Sequence, residues 1–254
     1  DVLIYFKMST MDLFKKTSFK ISKQVTQAYS TSFALATRML KKEMREAIYG
    51  IYGFVRFADE IVDTFHDHNK AELLDKFEED FYTSLEKGIS LNPILNSFQH
   101  TVKKYNISID HVDSFIRSMR NDLETNNYRT KEEIADYICG SADVVGLMSL
   151  KVFVNGDQKL FDQLKEPAMK LGSAFQKVNF LRDLKDDTEE LGRSYFPEMD
   201  YNNLNSQIKE ALVSQINGEF KIAYEGIKQL PQRSKLAVLL AYYYYKRLLL
   251  KLKR

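Results

Sequence analysis

The sequence predicts an all-α protein. Its 254 residues include only four prolines and ten glycines, and the long proline-free stretches are rich in Leu, Lys, Glu and Ala, which favour helices. Apolar residues in these stretches recur at steps of three and four, as in an amphipathic helix, whereas the strict alternation of a strand is scarce. Because no linker, internal repeat or low-complexity tract divides the chain, we expect a single domain.

Several helices are recognisable from their ends and from their apolar spacing. Asn92-Pro93 places an N-cap before a first-turn proline, and Thr130 with Glu133 forms a capping box. A representative apolar series at helical spacing is Leu73, Leu74, Phe77, Phe81 and Leu85.

Composition limits the classes of function. The chain has 37 basic and 35 acidic residues, a net charge of +2, which argues against a nucleic-acid-binding protein. The single cysteine, Cys139, excludes an intramolecular disulfide, fits a reducing compartment such as the cytoplasm, and is expected to be a small core residue. No segment contains the roughly 20 consecutive apolar residues that a membrane-spanning helix needs. We expect residues 1–17 to be a leader or poorly ordered N-terminus and residues 18–254 to form the domain.

A stripe of charged residues marks the segment 48–65, IYGIYGFVRFADEIVDTF. This segment is apolar almost all the way round, which predicts a buried helix. Its charged residues are Arg56, Asp59, Glu60 and Asp63, with offsets of 0, 3, 4 and 7 that place them on one face. Carboxylates on a buried helix are unfavourable unless a cation neutralises them.

A second polar stripe on a predicted helix occurs in the segment 175–191, FQKVNFLRDLKDDTEEL. Asn179, Asp183 and Asp187 lie at i, i+4 and i+8 of the predicted helix. Their polar neighbours are Gln176, Arg182 and Asp186. The two stripes are far enough apart in sequence to belong to different helices that face each other across a cavity.

Two facing acidic stripes predict a site for divalent cations and a diphosphate. Carboxylate oxygens suit Mg²⁺, which is typically shared between one or two carboxylates and substrate phosphates. Arg56 and Arg182 could then meet the phosphate oxygens. The alternative for each stripe alone is a solvated helix face. A di-iron carboxylate bundle requires Glu-x-x-His pairs, which the sequence lacks, and there is no P-loop or G-x-G-x-x-G motif.

These segments also resemble motifs of the squalene/phytoene synthase family. Asp59-Glu-Ile-Val-Asp63 and Asn179-Phe-Leu-Arg-Asp183-Leu-Lys-Asp-Asp187 are similar to its two aspartate-rich motifs. The other similar segments, in the family order, are Tyr29-Ser-Thr-Ser-Phe33 (the N-terminal substrate flap), Tyr52 with Arg56 (just before the first motif), Tyr137-Ile-Cys-Gly-Ser-Ala-Asp-Val-Val-Gly146 and Gly192-Arg-Ser-Tyr-Phe-Pro197.

The resemblance implies an all-α, isoprenoid-synthase-type helical bundle around a central cavity. It implies head-to-head condensation of two geranylgeranyl diphosphates to phytoene through a cyclopropylcarbinyl diphosphate. The alternative in the same family is a squalene or dehydrosqualene synthase that uses farnesyl diphosphate, with NADPH required only for squalene. A non-catalytic lipid-binding or assembly relative is a further alternative. The D-D-x-x-D and N-S-E motifs of cyclases and head-to-tail enzymes are absent.

The resemblance also implies roles for individual residues. Several Mg²⁺ ions, or Mn²⁺ in their place, would be bound by Asp59, Asp63, Asn179, Asp183 and Asp187. Diphosphate would contact Ser30, Arg56, Arg182, Arg193 and Tyr195. The reaction centre would be lined by Phe33, Tyr52, Tyr137 and Gln176.

Four features go beyond these roles. Asp143 occupies a position where the family often has glycine, and it either lines the cavity or caps a kink. Asp122 is expected either to add to the polar mouth or to lie on a solvated helix face. Family members often continue for one further helical stretch, which predicts a C-terminally short chain. The basic, leucine-rich end at 246–254 is either a peripheral contact with the inner face of a membrane or the end of the last core helix.

Overall fold

The computed structural model describes residues 9–124, 128, 130–189 and 206–253, without the side chains of Lys131, 185–189 and 206–208. Helices account for nearly all of these residues, and this part of the chain contains no strand, which confirms the all-α prediction. The helices in chain order are α1 (Thr10–Tyr29), α2 (Thr31–Arg38), α3 (Lys42–Asp63), α4 (Lys70–Lys87), α5 (Pro93–Tyr105), α6 (Ile109–Glu124), α7 (Lys131–Ile138), a π-helical segment (Cys139–Asp143), α8 (Val144–Phe153), α9 (Gln158–Glu189), α10 (Ser206–Gln229) and α11 (Gln232–Leu252).

The first helix begins earlier than the sequence suggests. α1 starts at Thr10, within the segment 1–17 for which the sequence predicts a leader or poorly ordered N-terminus. Ser9 caps this helix by accepting a hydrogen bond from the backbone of Asp12. The helix packs against α3 and α5 through buried polar residues rather than apolar ones, and Ser22 and Ser97 share a hydrogen bond of 2.6 Å there.

α3 is the buried centre of the first half of the bundle. It packs against α1, α4, α5, α6 and α8. Phe54 is fully buried on this helix and stacks on Phe98 at 4.0 Å and on Phe77 at 5.3 Å. This packing confirms that the segment 48–65 forms a buried helix whose few charged residues share one face.

α9 organises the second half of the bundle and contacts α8, the π-helical segment, α10 and α11. It continues through Pro167, which lies against Gly226 of α10, where a Cβ would collide with the proline ring. A Cβ on Gly172 would lie 2.7 Å from the carbonyl oxygen of Ala142 in the π-helical segment. Glycines therefore allow three helical elements to approach closely beside the site.

The caps read from the sequence are present. Asn92 caps α5 with Pro93 in its first turn, and Thr130 and Glu133 form the capping box of α7.

The prediction that Cys139 is a core residue is wrong, because this residue of the π-helical segment is exposed at the surface. None of the described helices is both long and apolar enough to span a bilayer.

Candidate active site

A cavity of about 470 Å³ lies at the centre of the bundle, between α2, α3, α8, α9, α10 and α11. It brings together residues from both stripes and from the segments that precede and follow them. The predicted site residues that line it are Ser30, Phe33, Tyr52, Arg56, Asp59, Tyr137, Gln176, Asn179 and Arg182. Residues separated by more than 120 positions in the sequence thus share one space.

The acidic stripe of α3 forms one side of the cavity mouth. The pKa of the Asp59 carboxyl is raised to about 7, chiefly by burial and also by the nearby Asp63 and Asp122 carboxylates, while Arg56 acts to lower it. Asp122 is buried and accepts a hydrogen bond of 2.5 Å from the Tyr128 hydroxyl. Three carboxylates therefore concentrate negative charge around Asp59, which favours a cation there.

Arg56 places a cation beside these carboxylates. Its guanidinium forms an ion pair with Glu60, one turn further along α3, and lies 4.3 Å from the ring centroid of Tyr29. The Nε atom is buried and has no hydrogen-bond partner among the described residues. The donor capacity that remains is suited to an anion, such as a phosphate group, in the cavity.

The junction between α1 and α2 closes the same side of the cavity. Ser30 has an extended backbone, with φ −148° and ψ 101°, and accepts a hydrogen bond from the backbone of Phe33 at 3.3 Å. Its side chain is also hydrogen-bonded to Tyr52, whose ring stacks on Phe33 at 5.0 Å. Burial raises the pKa of the Tyr52 hydroxyl to about 12, so this group stays protonated.

The α9 stripe forms the opposite side of the mouth. Arg182 binds Asp183 through two hydrogen bonds of 2.7 Å and 2.6 Å, and both side chains are partly exposed. The Oδ1 atom of Asn179 is buried without a partner within the described part of the chain. Asp63 and Asp183 do not line the cavity itself; Asp183 is partly exposed, and Asp63 lies close enough to Asp59 to raise its pKa.

Three predicted site residues fall outside this description. The side chain of Asp187 belongs to the undescribed end of α9, and Arg193 and Tyr195 lie between the described ranges. Their roles stay predictions.

Tyr245 of α11 is a cavity residue that the sequence did not single out. Its ring stacks on Phe175 at 4.0 Å, and its hydroxyl is hydrogen-bonded to the side chain of Asn179. Burial raises the pKa of this hydroxyl, so it remains a neutral hydrogen-bonding group. Tyr245 is the last of four consecutive tyrosines, and the sequence does not indicate which of the four faces the cavity. The packing of α11 decides this.

Tyr137 also lines the cavity and lies just before the π-helical segment. Its ring lies 4.8 Å from that of Tyr128 and 6.1 Å from that of Phe180, and Ser141 donates a hydrogen bond of 2.8 Å to its carbonyl oxygen. π-Helical segments often occur at functional sites, because the wider turn redirects side chains.

The body of the cavity is apolar. Its lining combines small residues with branched aliphatic ones, including Ala36, Leu40, Ile51, Val145, Leu164, Ala168, Leu171, Ala223, Ile227, Ala237 and Ala241. A polar, charged mouth above an apolar body matches an amphiphile with an anionic head and a hydrocarbon tail.

The residues at the mouth fit Mg²⁺ that is shared with a substrate. In the described part of the chain, no three acidic, histidine or cysteine side chains are close enough to hold a metal ion by themselves. The unpartnered Oδ1 of Asn179 and the carboxylate of Asp59, whose pKa is raised by burial, nevertheless provide oxygen atoms of the kind that Mg²⁺ binds. Mg²⁺ commonly completes its coordination with waters and phosphate oxygens.

Asp143 does not line the cavity. It lies behind α9, where the backbone of Ser173 and the charges of Lys170, Lys177 and Glu219 act on it. Lys177 and Glu219 form a buried ion pair beside it. Of the two alternatives for Asp143, the structure therefore does not show the place in the cavity lining; the residue ends the π-helical segment that precedes α8.

Comparison with known proteins identifies the family. The family model for squalene/phytoene synthases matches residues 26–254. The chain belongs to the squalene/phytoene synthase family. A phytoene synthase from Arthrospira platensis is 32% identical over 194 residues, which are 72% of this chain and 62% of that relative. A 4,4'-diapophytoene synthase from Staphylococcus haemolyticus is 26% identical over 209 residues, 81% of this chain and 70% of that relative.

The fold agrees with this membership. The structure of squalene synthase HpnC from Alicyclobacillus acidocaldarius superposes with a TM-score of 0.82 at 21% identity and covers 95% of each chain. This similarity confirms the isoprenoid-synthase-type bundle. The chain spans about three fifths of the length of the first curated relatives that it matches. Members of the family are prenyltransferases that condense prenyl diphosphates.

Proposed function

We propose that this chain condenses two molecules of geranylgeranyl diphosphate head to head, through a cyclopropylcarbinyl diphosphate, to give phytoene. One observation carries the proposal: two polar helix stripes, on α3 and α9, meet at the mouth of a cavity whose body is apolar. Such a cavity binds the diphosphate in the mouth and the prenyl chains in the body.

The polar residues at the mouth bind and orient the diphosphate. Arg56 and Arg182 donate hydrogen bonds to its oxygens, together with Ser30 and, from the undescribed segment, Arg193 and Tyr195. Mg²⁺, or Mn²⁺ in its place, neutralises the leaving diphosphate when bound. The residues that would hold it are Asp59, Asp63, Asn179, Asp183 and Asp187.

The aromatic residues beside the mouth stabilise positive charge. Loss of diphosphate leaves an allylic cation, and the faces of the stacked Phe33 and Tyr52 rings and of Tyr137 attract cations in a dry cavity. The amide of Gln176 orients the chains near this point. The remaining lining is mostly apolar, which disfavours water beside the cation.

A squalene or dehydrosqualene synthase that uses farnesyl diphosphate is the second candidate. The similarity to the Staphylococcus haemolyticus diapophytoene synthase, which covers 81% of this chain, favours it. NADPH is expected to be required only if the product is squalene. We also propose that the enzyme works in the cytoplasm, in peripheral contact with the inner face of a membrane, and without nucleic acid.

A product assay separates these candidates. The protein is incubated with Mg²⁺ and either geranylgeranyl or farnesyl diphosphate, with and without NADPH, and the hydrocarbon is identified by mass spectrometry. A C40 product supports phytoene synthesis. A C30 product moves the assignment to the squalene branch. If neither substrate yields hydrocarbon although diphosphate binds, this chain is not a catalyst of either reaction.

A further inference from the structure

Two neighbouring helices separate the cavity from an unusual part of the surface. α2 packs against α11, and both contribute to the cavity wall. On α2, Ala36 and Thr37 face the cavity, whereas Leu35 is 57% exposed and Met39, just after the helix, is 50% exposed. The wall is therefore one helix thick at this place, with large apolar side chains on its outer side.

α11 has the same two-sided character. Ala237, Ala241 and Tyr245, at i, i+4 and i+8, line the cavity. Leu236, Leu240 and Leu250 are exposed, the last with 62% of its surface open. Because successive residues are rotated by about 100° around a helix, these two sets lie on different faces. Leucines on an outer face have no core to stabilise.

The charge of the two helices points to what covers this face. The stretches Thr31–Arg38 and Gln232–Leu252 contain no Asp or Glu, although the whole chain has nearly equal numbers of acidic and basic residues. Their basic residues are Arg38, Arg233, Lys235, Lys246, Arg247 and Lys251. Apolar side chains flanked by lysines and arginines bind anionic bilayers, since the leucines enter the interface and the cations meet the headgroups.

The wall between cavity and surface is built from a short helix and small side chains. α2 has only eight residues, and it follows the extended residue Ser30. The residues that α2 and α11 present to the cavity include Ala36, Ala237 and Ala241, which interlock little. A small separation of these two helices would connect the apolar body of the cavity with the outer leucines.

We propose that the outer faces of α2 and α11 dock on an anionic lipid bilayer, and that the hydrocarbon product leaves the cavity between these helices into that bilayer. The exit route rests on the reaction proposed under the function above, because it requires an apolar product, whereas the docking does not depend on that reaction. Direct transfer keeps the hydrocarbon out of water, where its apolar surface is unfavourable.

Vesicle binding tests the docking without any substrate. The protein is floated with phosphatidylcholine vesicles that contain or lack phosphatidylglycerol. The stripe variant carries Leu236→Gln, Leu240→Gln and Leu250→Gln, and the charge variant carries Arg233→Gln, Arg247→Gln and Lys251→Gln. The matched control replaces exposed apolar residues elsewhere, Leu73→Gln, Ile89→Gln and Leu91→Gln. Melting temperatures are compared to show that each variant is folded.

We expect binding that depends on phosphatidylglycerol and weakens at high salt. The stripe variant should bind at least tenfold more weakly, and the charge variant roughly a hundredfold more weakly, at about 1 kcal/mol per basic residue. The control should bind like the unmodified protein. Absent binding, or equal losses in the stripe and control variants, would overturn the docking. A dimer that dissociates in the stripe variant would also overturn the docking, because a second copy of the chain would then cover the face. The same holds if binding appears only after deletion of residues 1–8, because the chain's own N-terminus would then cover it.

Turnover tests the exit route. Anionic vesicles should raise the steady-state rate of hydrocarbon release several-fold and leave the single-turnover rate unchanged, and the stripe variant should lose this stimulation. An equal stimulation of the stripe variant would overturn the exit route. If no form of the protein makes hydrocarbon, the proposed function and the exit route fail together, whereas the docking is still decided by the vesicle-binding experiment.

Discussion

The side chain of Arg56 is held in a position suited to binding an anion at the cavity mouth. Glu60 neutralises part of its charge, the Tyr29 ring covers one face of the guanidinium, and the buried Nε keeps an unused donor among the described residues. The side chain is thereby held at the mouth without being fully satisfied. Tyr29 acts through Arg56, so we treat it as a positioning residue.

Replacing Tyr29 tests this arrangement. We expect Tyr29→Leu to raise the KM for the prenyl diphosphate roughly three- to thirtyfold with little change in kcat, because a cation–π contact contributes about 0.5–2 kcal/mol. Tyr29→Phe keeps the ring and should behave like the unmodified enzyme. Tyr82→Leu, a partly exposed tyrosine of α4 that does not line the cavity, is the control. An equally high KM for Tyr29→Phe would exclude the ring as the cause.

Asp143 illustrates a buried charge that the cavity does not use. Its Oδ1 has no partner in the described structure, and its pKa is raised to about 7, chiefly by burial and also by Glu219, against the opposing charges of Lys170 and Lys177. The folded protein therefore binds a proton here more tightly than the unfolded chain, whose carboxyl has a pKa near 3.8. Stability consequently falls as pH rises from 3.8 to about 7.

Removing that charge should stabilise the protein at high pH. We expect Asp143→Asn to increase the free energy of unfolding at pH 8 by about 1–3 kcal/mol, the usual penalty of an unsatisfied buried group. The difference should shrink towards pH 4, where the carboxyl is protonated in the folded protein and only partly ionised in the unfolded chain. Urea unfolding at the two pH values measures it. A difference that is independent of pH would contradict the assignment.

At the scale of helices, close approach between α9 and α10 depends on Gly226. A Cβ at this position would collide with the ring of Pro167. We expect Gly226→Ala to lower the free energy of unfolding by about 1–3 kcal/mol, because the helices must move apart. Gly218 of the same helix has open space around it, so Gly218→Ala should instead stabilise by about 0.5–1 kcal/mol. Thermal unfolding of both variants gives the comparison, and similar effects would refute the packing argument.

Helices with an apolar surface and few charges were the most predictable elements. In α3, 11 of the 22 residues are buried and Arg56, Asp59 and Asp63 are not among them, so the apolar periodicity alone located the stripe. α1 was less predictable because its buried face consists of Ser18, Ser22 and Thr26, which periodicity treats as solvated. Small polar residues can be buried there because their hydroxyls find partners in the chain, as Ser22 does in Ser97.

At the scale of the whole molecule, the sequence predicted that the two stripes face one cavity but not how the cavity is closed. Tyr245 closes it from α11, and its orientation depends on how that helix packs against α2, α9 and α10. The length of prenyl chain that fits also depends on the packing of several helices. The spacing of residues along one helix encodes neither the orientation of Tyr245 nor the length of the cavity, so both could be determined only from the folded structure.

The central claim is that the stripes of α3 and α9 act together on one diphosphate. Calorimetric titration of inorganic diphosphate, with and without Mg²⁺, tests it most directly. The variants are Asp59→Asn and Asp183→Asn, and the control is Asp67→Asn, an exposed aspartate in the loop after α3. We predict binding that requires Mg²⁺, weakens at least tenfold in either stripe variant and is unchanged in the control, with melting temperatures within a few degrees of each other. Binding without Mg²⁺, or full binding in both stripe variants, would contradict the claim.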